Sequence, residues 1–450
     1  MHVDTVVLGG GLTGLSAGYH LQAAGSGDFV ILERDGDVGG LARTEVYDGF
    51  SFDHSIHILY TEDEYAASWI RDDLLAGELE RQDRRSYCYS AGVYTEYPYQ
   101  VNNYGLPQEV VVENILGLLE AHNAHGRSAP PADYEEWIHR TFGRGIAEHF
   151  MTPYNRKLWA WDLKQMSYSW VEGRVPMPRL EDVIRGALQP PSKSFGLNRE
   201  FWYPTSGGIQ ALSRALASRL AAGRVRCDCE AIGVDWRSKT VECADGSSFH
   251  YERLISTLPL PALVGLLEGA PDEVRDAAAR LHSNVVHTVN IGLRGSIASE
   301  QERMHWVYVP DPDVIFHRIS FPHQFSASMA PPGCVSVQAE ISESTYRPID
   351  RRRLVPKTLA GLRRMGLLSE SETLPAAAGG KVEVAEVVTL DPAYVIYDHW
   401  HEATTGLLTE WLRERDIETR GRFGEWEYFN MDHSLLSGKA AAEAGLLATR

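Results

Sequence analysis

The stretch that decides the fold lies near the start of the chain and reads Val3-Asp4-Thr5-Val6-Val7-Leu8-Gly9-Gly10-Gly11-Leu12-Thr13-Gly14. Its first six residues form a compact β-branched run that is typical of a buried strand. A helical pattern follows over residues 15–24, and a second strand pattern follows over residues 28–32. Strand, glycine turn, helix and strand in this order predict a βαβ unit of the Rossmann type.

The glycines of this turn each have a physical task. Gly9 makes the tight turn, Gly11 lets the backbone approach a pyrophosphate, and Gly14 lets the helix pack closely against the strand. The free amides at the start of the helix then face the phosphates. Glu33 ends the second strand about 20 residues after Gly14, where a carboxylate can accept the ribose hydroxyls. The segment therefore predicts a dinucleotide site.

A second glycine-rich segment separates FAD from NAD. It reads Asp35-Gly36-Asp37-Val38-Gly39-Gly40-Leu41-Ala42-Arg43-Thr44. This segment resembles the second glycine motif of the glutathione-reductase-type flavoproteins, especially their amine-oxidase branch. The resemblance implies that Gly40 passes beside the FAD phosphates and that Arg43 adds positive charge there. We predict FAD as the cofactor, without a separate NAD(P)H domain, because no second Gly-x-Gly-x-x-Gly follows a strand.

Composition limits the partners of the chain. Its 450 residues include 43 Lys+Arg and 61 Asp+Glu, which gives a net charge of −18. This charge disfavours nucleic acid and anionic membranes, and we interpret the arginine clusters at 84–85 and 351–353 as surface charge. The scattered cysteines lack metal-ligand spacing, so no metal is predicted. We expect a cytoplasmic protein, since neither a leader pattern nor a membrane-spanning run is evident.

The pattern along the chain predicts an α/β fold with three parts. A discontinuous Rossmann-type, glutathione-reductase-like FAD-binding domain takes residues 1–80, 200–280 and 415–450. Helical spacing predicts an inserted helical lobe over residues 105–190. Aromatic and alternating segments predict a β-rich substrate domain over residues 81–104 and 283–400.

Two longer stretches carry a more selective resemblance. They are residues 142–160, which include Met151-Thr152-Pro153-Tyr154-Asn155-Arg156-Lys157-Leu158-Trp159, and residues 421–434, which include Gly421-Arg422-Phe423-Gly424-Glu425-Trp426. Both resemble the eukaryotic-type UDP-galactopyranose mutases, within the FAD-dependent amine-oxidase-like superfamily. The resemblance implies a flavin-dependent pyranose/furanose mutase acting on a UDP-galactose-like nucleotide sugar. In that reaction N5 of reduced FAD is the nucleophile towards the anomeric carbon.

The same resemblance assigns residues to roles. Arg174 and Arg318 match the arginines that bind the diphosphate, a role that suits the bidentate guanidinium group. His57 and Tyr428 are the other catalytic candidates, and Tyr428 shares with Tyr308 and Tyr394 a match to diphosphate-binding tyrosines. The remaining matches are Tyr97, Tyr99 and Gln100 at the uracil, Asn155 and Trp159 at the substrate, and Arg422, Asn430, Met431 and Asp432 beside the flavin.

One departure and two alternatives stay open at this stage. The family has Gly-Gly-His under the flavin, where this chain has Ser55-Ile56-His57. Ile56 could therefore change the local flavin geometry and the sugar that is accepted. An FAD oxidoreductase of the amine-oxidase or protoporphyrinogen-oxidase type is the first alternative, and a catalytically silent sugar-nucleotide-binding flavoprotein is the second. We expect NAD(P)H as the reductant, and the sequence leaves a homo-oligomer open.

Overall fold

The structure is a computed structural model that describes residues 1–26, 28–124, 129–171, 175, 177, 179–190, 199–297 and 303–448. Its strands are β1 (His2–Leu8), β2 (Phe29–Leu32), β3 (Thr44–Tyr47), β4 (Phe50–Asp53), β5 (Leu79–Asp83), β6 (Ser86–Ser90), β7 (Val93–Glu96), β8 (Glu200–Pro204), β9 (Val225–Arg226), β10 (Ala231–Asp235), β11 (Thr240–Cys243), β12 (Ser248–Ser256), β13 (Val285–Arg294), β14 (Trp306–Tyr308), β15 (Arg318–Ser320), β16 (Cys334–Glu343), β17 (Val382–Leu390) and β18 (Ile417–Thr419). Its α-helices are α1 (Leu12–Ala23), α2 (Glu64–Ser68), α3 (Gln108–Ala124), α4 (Tyr134–Ile146), α5 (Thr152–Trp159), α6 (Leu180–Leu188), α7 (Gln210–Ser218), α8 (Leu260–Leu266), α9 (Asp272–Ala279), α10 (Leu354–Arg364), α11 (His401–Arg413), α12 (Gly421–Gly424) and α13 (Met431–Ala448).

The first sheet is built around the N-terminal strand. It has the order β10-β11-β12-β1-β2-β9, and β18 also pairs with β12. The pairs β1–β12, β1–β2, β2–β9 and β12–β18 are parallel. All four residues of β2 are buried, because apolar clusters cover both faces of this sheet. The predicted α/β fold is confirmed, and residues 254–256 return to the nucleotide-binding sheet beside β1.

The second sheet supplies the opposite side of the cleft described below. Its order is β17-β13-β16-β15-β14-β6-β7, and its pairs are antiparallel except β14–β6. Strands β13 to β17, which fall within the predicted β-rich segment 283–400, lie in this sheet. Strand β5 pairs instead with β8, so the residues at 81–83 lie outside the sheet to which the sequence pattern assigned them.

Helices α3 to α6 lie in the segment predicted as a helical lobe. A Cβ atom placed on Gly145 would lie 2.2 Å from the carbonyl oxygen of Glu113, so α3 and α4 approach to backbone contact. Part of the mutase-like stretch at 142–160 thus has a packing role. Within the described part of the chain, no helix is both long enough and apolar enough to cross a bilayer.

Candidate cofactor and substrate cleft

A cleft of about 1580 Å³ runs along both glycine motifs and continues to the second sheet. It brings together most of the residues that the sequence assigns to the site. Those on its wall are Gly9, Gly11, Glu33, Gly40, His57, Tyr97, Tyr308, Arg318, Tyr394, Arg422, Tyr428, Asn430, Met431 and Asp432.

The first glycine motif lines one part of the cleft, called here the glycine end. Gly9 has a φ of +101°, and its amide donates to the carbonyl oxygen of Leu32 at 2.8 Å. A Cβ atom on Gly14 would lie 2.0 Å from the carbonyl oxygen of Gly9, which leaves space for hydrogen only. Gly11 precedes α1 and bridges to Gly39 of the second motif. The two glycine loops therefore meet where a pyrophosphate would be held.

Glu33 is fixed by two backbone amides. Its carboxylate oxygens accept hydrogen bonds from Gly10 N at 2.7 Å and from Asp35 N at 2.9 Å. The side chain is buried but reaches the cleft wall. Each oxygen keeps a further lone pair, so the carboxylate can still accept hydroxyl groups from a ribose.

The residues at the glycine end of the cleft fit FAD. Two glycine loops without side chains, the start of α1 and a positioned carboxylate meet the needs of a dinucleotide. Gly9, Gly11 and Gly40 would hold the pyrophosphate, and Glu33 would hold the adenosine ribose.

Arg43 does not lie on the cleft wall. Its guanidinium group forms an ion pair of 2.8 Å with Asp35, and the Cγ atom of its stem packs against Gly39. Its charge is thus largely compensated within the second glycine motif. The positive charge that the resemblance assigns to Arg43 near the FAD phosphates stays a prediction.

The Ser55-Ile56-His57 turn lies on the cleft wall. The backbone of Ile56 does not have a positive φ, so the turn requires no glycine at this position. Its side chain packs against an apolar cluster that includes Phe201 and Trp306. Burial, together with the nearby charge of Arg422, lowers the pKa of His57 to about 4, although a hydrogen bond with the Ser55 carbonyl opposes this shift.

Sheet register places the candidate diphosphate arginine. Tyr308 on β14 lies opposite Arg318 on β15, and Arg318 lies opposite Glu340 on β16. Nε and Nη2 of Arg318 donate to one oxygen of Glu340 at 2.9 and 2.6 Å. Burial favours the neutral form of Glu340, yet the charge of Arg318 holds the pKa of this carboxyl below its usual range.

Tyrosine rings flank these charges. Tyr97 lies with its ring centroid 4.8 Å from that of Tyr308, and Tyr394 stacks on Tyr428 at 5.8 Å. Arg422 sits 4.8 Å above the ring of Tyr428 and donates to the carbonyl oxygen of Phe429 at 2.9 Å. This part of the cleft, called here the tyrosine end, therefore combines guanidinium groups with phenol hydroxyls, which suits an anionic oxygen-rich ligand.

Some assigned residues lie behind the wall. Tyr99 and Gln100 are buried, and Tyr99 stacks on Phe150 at 4.6 Å. Asn155 and Trp159 are also buried, and the indole of Trp159 donates to Oδ1 of Asn155 at 3.2 Å. These residues do not line the cleft here, because their side chains fill the helical core. Arg174 lies outside the described residues.

Two residues of the site, Arg84 and Glu340, were not predicted from the sequence. Arg84, interpreted as surface charge, lies on the cleft wall with its guanidinium carbon 5.2 Å from the centroid of Tyr97. That interpretation is wrong for Arg84, because the chain just before β6 brings its side chain to the cleft. Glu340 also escaped notice, although an acid between Ala339 and Ile341 in an apolar strand is a signal of a buried partner.

One cluster has the residue types of a metal site. Ligand atoms of Cys229, Cys243 and Asp245 lie within 4.8 Å of one another. Burial, first of all, raises the pKa of Cys243 to about 12, so its thiol keeps its proton at neutral pH. Two buried thiols and one exposed carboxylate fall short of the four ligands of a structural zinc site, so we assign no metal to the cluster.

Two buried imidazoles near the cleft predict acid sensitivity. Burial lowers the pKa of His305 to about 3 and that of His317 to about 4. An unfolded histidine titrates near pH 6.5, so their contribution to the free energy of unfolding is intact above that pH and is lost as the pH falls towards 4. Asp53, whose pKa burial raises to about 6, opposes this trend between about pH 6 and 4.

We expect the free energy of unfolding to fall by on the order of 3 kcal/mol between pH 7 and 4 from these groups together. Urea unfolding of the FAD-loaded protein at four pH values measures this slope. His305→Gln should flatten it, whereas His122→Gln, at an exposed position of α3, should not. Equal slopes for parent and His305→Gln would contradict the assignment.

A comparison with protein families identifies the chain. The profile described as "Flavin containing amine oxidoreductase" matches residues 12–444. The chain belongs to this family. Membership agrees with the two glycine loops and Glu33, and it makes FAD the cofactor class expected of these residues.

Solved structures extend the comparison. This amine oxidoreductase family member matches a crystal structure of reduced UDP-galactopyranose mutase with a TM-score of 0.92 and 28% identity, over 100% of this chain and 96% of that chain. A proposed protoporphyrinogen oxidase from Exiguobacterium sp. 255-15 matches at 0.72 and 18%, over 99% of each chain. Putrescine oxidase bound to putrescine matches at 0.66 and 15%, over 100% and 99%. The resemblance to the mutases is confirmed, and the two oxidases share the fold.

A curated relative matches over a short segment. The Baeyer-Villiger monooxygenase of Streptomyces coelicolor is 44% identical over 57 residues, which cover 13% of this chain and 11% of that protein. The match spans about a tenth of the relative's length, so the activity of that protein is not transferred to this amine oxidoreductase family member.

Proposed function

We propose that this protein is a flavin-dependent nucleotide-sugar mutase that interconverts the pyranose and furanose forms of a UDP-galactose-like substrate. The observation that carries the proposal is the rung Tyr308–Arg318–Glu340, which places a buried guanidinium group on the wall of the cofactor cleft. The match to reduced UDP-galactopyranose mutase supports the same conclusion.

The tyrosine end of the cleft suits a diphosphate. Arg318 has a side chain that is only 17% exposed, so its charge acts where water is largely excluded. Tyr308, Tyr394 and Tyr428 lie on the same wall and offer phenol hydroxyls to phosphate oxygens. Arg174 remains a predicted second arginine. These residues would hold the nucleoside diphosphate close to the sugar while the bond between them is broken and remade.

Reduced FAD, when bound, supplies a nucleophilic N5 atom towards the anomeric carbon. The chain itself would orient the sugar against that atom. His57, with its pKa lowered to about 4, is neutral at physiological pH and adds no charge to the flavin side. Tyr97 on the cleft wall would stack on the base, while a contact from Tyr99, Gln100, Asn155 or Trp159 would require these buried side chains to turn outward.

We expect activity only with reduced flavin, although the reaction neither gains nor loses electrons. Dithionite-reduced and oxidised enzyme would be incubated without oxygen with a panel of nucleotide sugars. Chromatography then separates pyranose from furanose products. The proposal requires the reduced enzyme to turn over at least about a hundredfold faster than the oxidised enzyme. Equal turnover by the oxidised enzyme would refute it.

An FAD-dependent oxidoreductase is the second candidate, because the family includes amine oxidoreductases and the fold matches putrescine oxidase. An oxidoreductase would consume oxygen in proportion to product and would be reduced by its own amine or hydride donor. Oxygen uptake during turnover therefore separates the two candidates. NAD(P)H as the reductant, a cytoplasmic location and a homo-oligomer stay predictions from the sequence.

A further inference from the structure

A buried carboxylate connects two parts of the cleft that the sequence treats separately. Glu340 has 0% exposure at the centre of β16. One of its oxygens accepts from Ser55 Oγ at 2.9 Å and from Ile56 N at 3.0 Å. Its other oxygen accepts from both nitrogens of Arg318 described above. The carboxylate thus has one oxygen on the 55–57 turn and the other on the arginine.

The burial of Glu340 makes its hydrogen bonds to Arg318 and to the 55–57 turn strong and sensitive to charge. Glu340 is fully desolvated, and His317 is a fourth partner residue, with Nε2 3.3 Å from the carboxylate. Hydrogen bonds to an ionised buried carboxylate are short and stronger than neutral ones. A change in the charge around Arg318 therefore alters the hydrogen bonds from Ser55 and Ile56, because the arginine and these two donors share the carboxylate of Glu340.

We propose that Glu340 is a positioning residue that couples occupation of Arg318 by a diphosphate to the conformation and electrostatics of the turn at 55–57. This inference rests on the proposed function, since it takes the turn to face the flavin and Arg318 to face the diphosphate. Binding of a nucleoside diphosphate draws the guanidinium charge away from Glu340. The carboxylate then becomes a stronger acceptor for Ile56 N and Ser55 Oγ, and the flavin next to the turn senses a more negative field.

This coupling has a spectroscopic consequence. The absorption bands of a bound flavin depend on the local field, so UDP should perturb the flavin spectrum of the parent although it transfers no electrons. Occupation of the site is measured separately by calorimetry. The ratio of spectral change to bound UDP reports the coupling itself, and a residue with only a packing role would leave that ratio unchanged.

The test uses oxidised holoenzyme with FAD and UDP as the probe. Glu340→Gln removes the charge, and Glu340→Asp keeps the charge but shortens the bridge by one methylene. The matched control is Glu343→Gln, three positions along the same strand, whose carboxylate pairs with His287 and Arg351 and does not line the cleft.

We expect Glu340→Gln to bind UDP about three- to tenfold more tightly, because a carboxylate near the incoming phosphates is gone. In both Glu340 variants the spectral change per bound UDP should fall below about a fifth of the parent value, while Glu343→Gln keeps the parent response. A response that survives in both Glu340 variants overturns the coupling and leaves the proposed function intact. Loss of FAD from both variants also overturns it, since Glu340 would then be a purely structural group. A parent that binds no UDP overturns the proposed function itself.

Discussion

Replacing Gly14 by alanine should leave the protein largely without FAD. The added Cβ atom would lie 2.0 Å from the carbonyl oxygen of Gly9 and 3.4 Å from Cγ1 of Val7, so α1 has to move away from β1. Overpacking of this kind costs about 1–3 kcal/mol, which corresponds to roughly 5- to 150-fold weaker cofactor binding if the strain falls on the bound geometry. The ratio of flavin to protein absorbance after desalting measures the loss.

Gly406→Ala is the matched control. Gly406 lies in α11, is exposed, and an added Cβ would meet no atom within 4 Å. Alanine is the better helix former, so this variant should keep its FAD and gain about 0.5–1 kcal/mol of stability. Full flavin content in Gly14→Ala would show that the close approach of α1 and β1 is not needed to hold the cofactor.

The nucleotide-binding end was predictable because its information is local. The buried strand, the glycine turn, the helix and Glu33 all fall within about 30 residues, the usual span of a βαβ unit. The hydrogen bonds of Glu33 to Gly10 and Asp35 follow directly from that local geometry. The third strand of this core, which includes residues 254–256, lies about 250 residues away in sequence and is joined to β1 by pairing that no local motif specifies.

The tyrosine end of the cleft was less predictable because the contacts between its residues depend on strand register. Arg318 and Glu340 meet only because β15 and β16 pair in one register, which the sequence does not specify. Resemblance located Arg318, but nothing in the motif pointed to its buried partner. Arg84 was misinterpreted for a similar reason. An arginine pair in sequence has the composition of a solvated surface, and only the pairing of β6 with β14 brings the segment to the cleft.

Burial explains the remaining differences. Tyrosine, asparagine and tryptophan serve equally well as ligand contacts and as core residues with a polar group. Tyr99, Asn155 and Trp159 satisfy their polar atoms inside the helical core, as the hydrogen bonds from Asn114 to Tyr99 and from Trp159 to Asn155 show. Ile56 differs from these residues, because it lies on the cleft wall although its side chain is apolar. The departure from glycine needs no special backbone conformation, because its side chain turns into an apolar cluster.

Arg318→Ala should have the largest effect of any substitution in the cleft. It removes the proposed diphosphate ligand and leaves Glu340, with 0% exposure, as a buried charge without its main counterion. Breaking a buried pair in this way costs about 3–5 kcal/mol of stability. Loss of charged hydrogen bonds to the diphosphate should weaken UDP binding by about 1.5–3 kcal/mol. Thermal unfolding with FAD bound and calorimetry with UDP measure the two effects.

The double variant Arg318→Ala/Glu340→Gln separates these contributions. Without a buried charge it should recover most of the lost stability, because the penalty in the single variant comes from the uncompensated carboxylate and not from the missing guanidinium group. UDP binding should not recover, since the ligand for the phosphates is still absent. A pair with an exposed arginine gives the scale for comparison: Arg351 is 58% exposed and its partner Glu343 keeps His287, so Arg351→Ala should cost no more than about 1 kcal/mol. If Arg318→Ala is no less stable than Arg351→Ala, or if the double variant regains UDP affinity, Arg318 is not the diphosphate ligand held by Glu340.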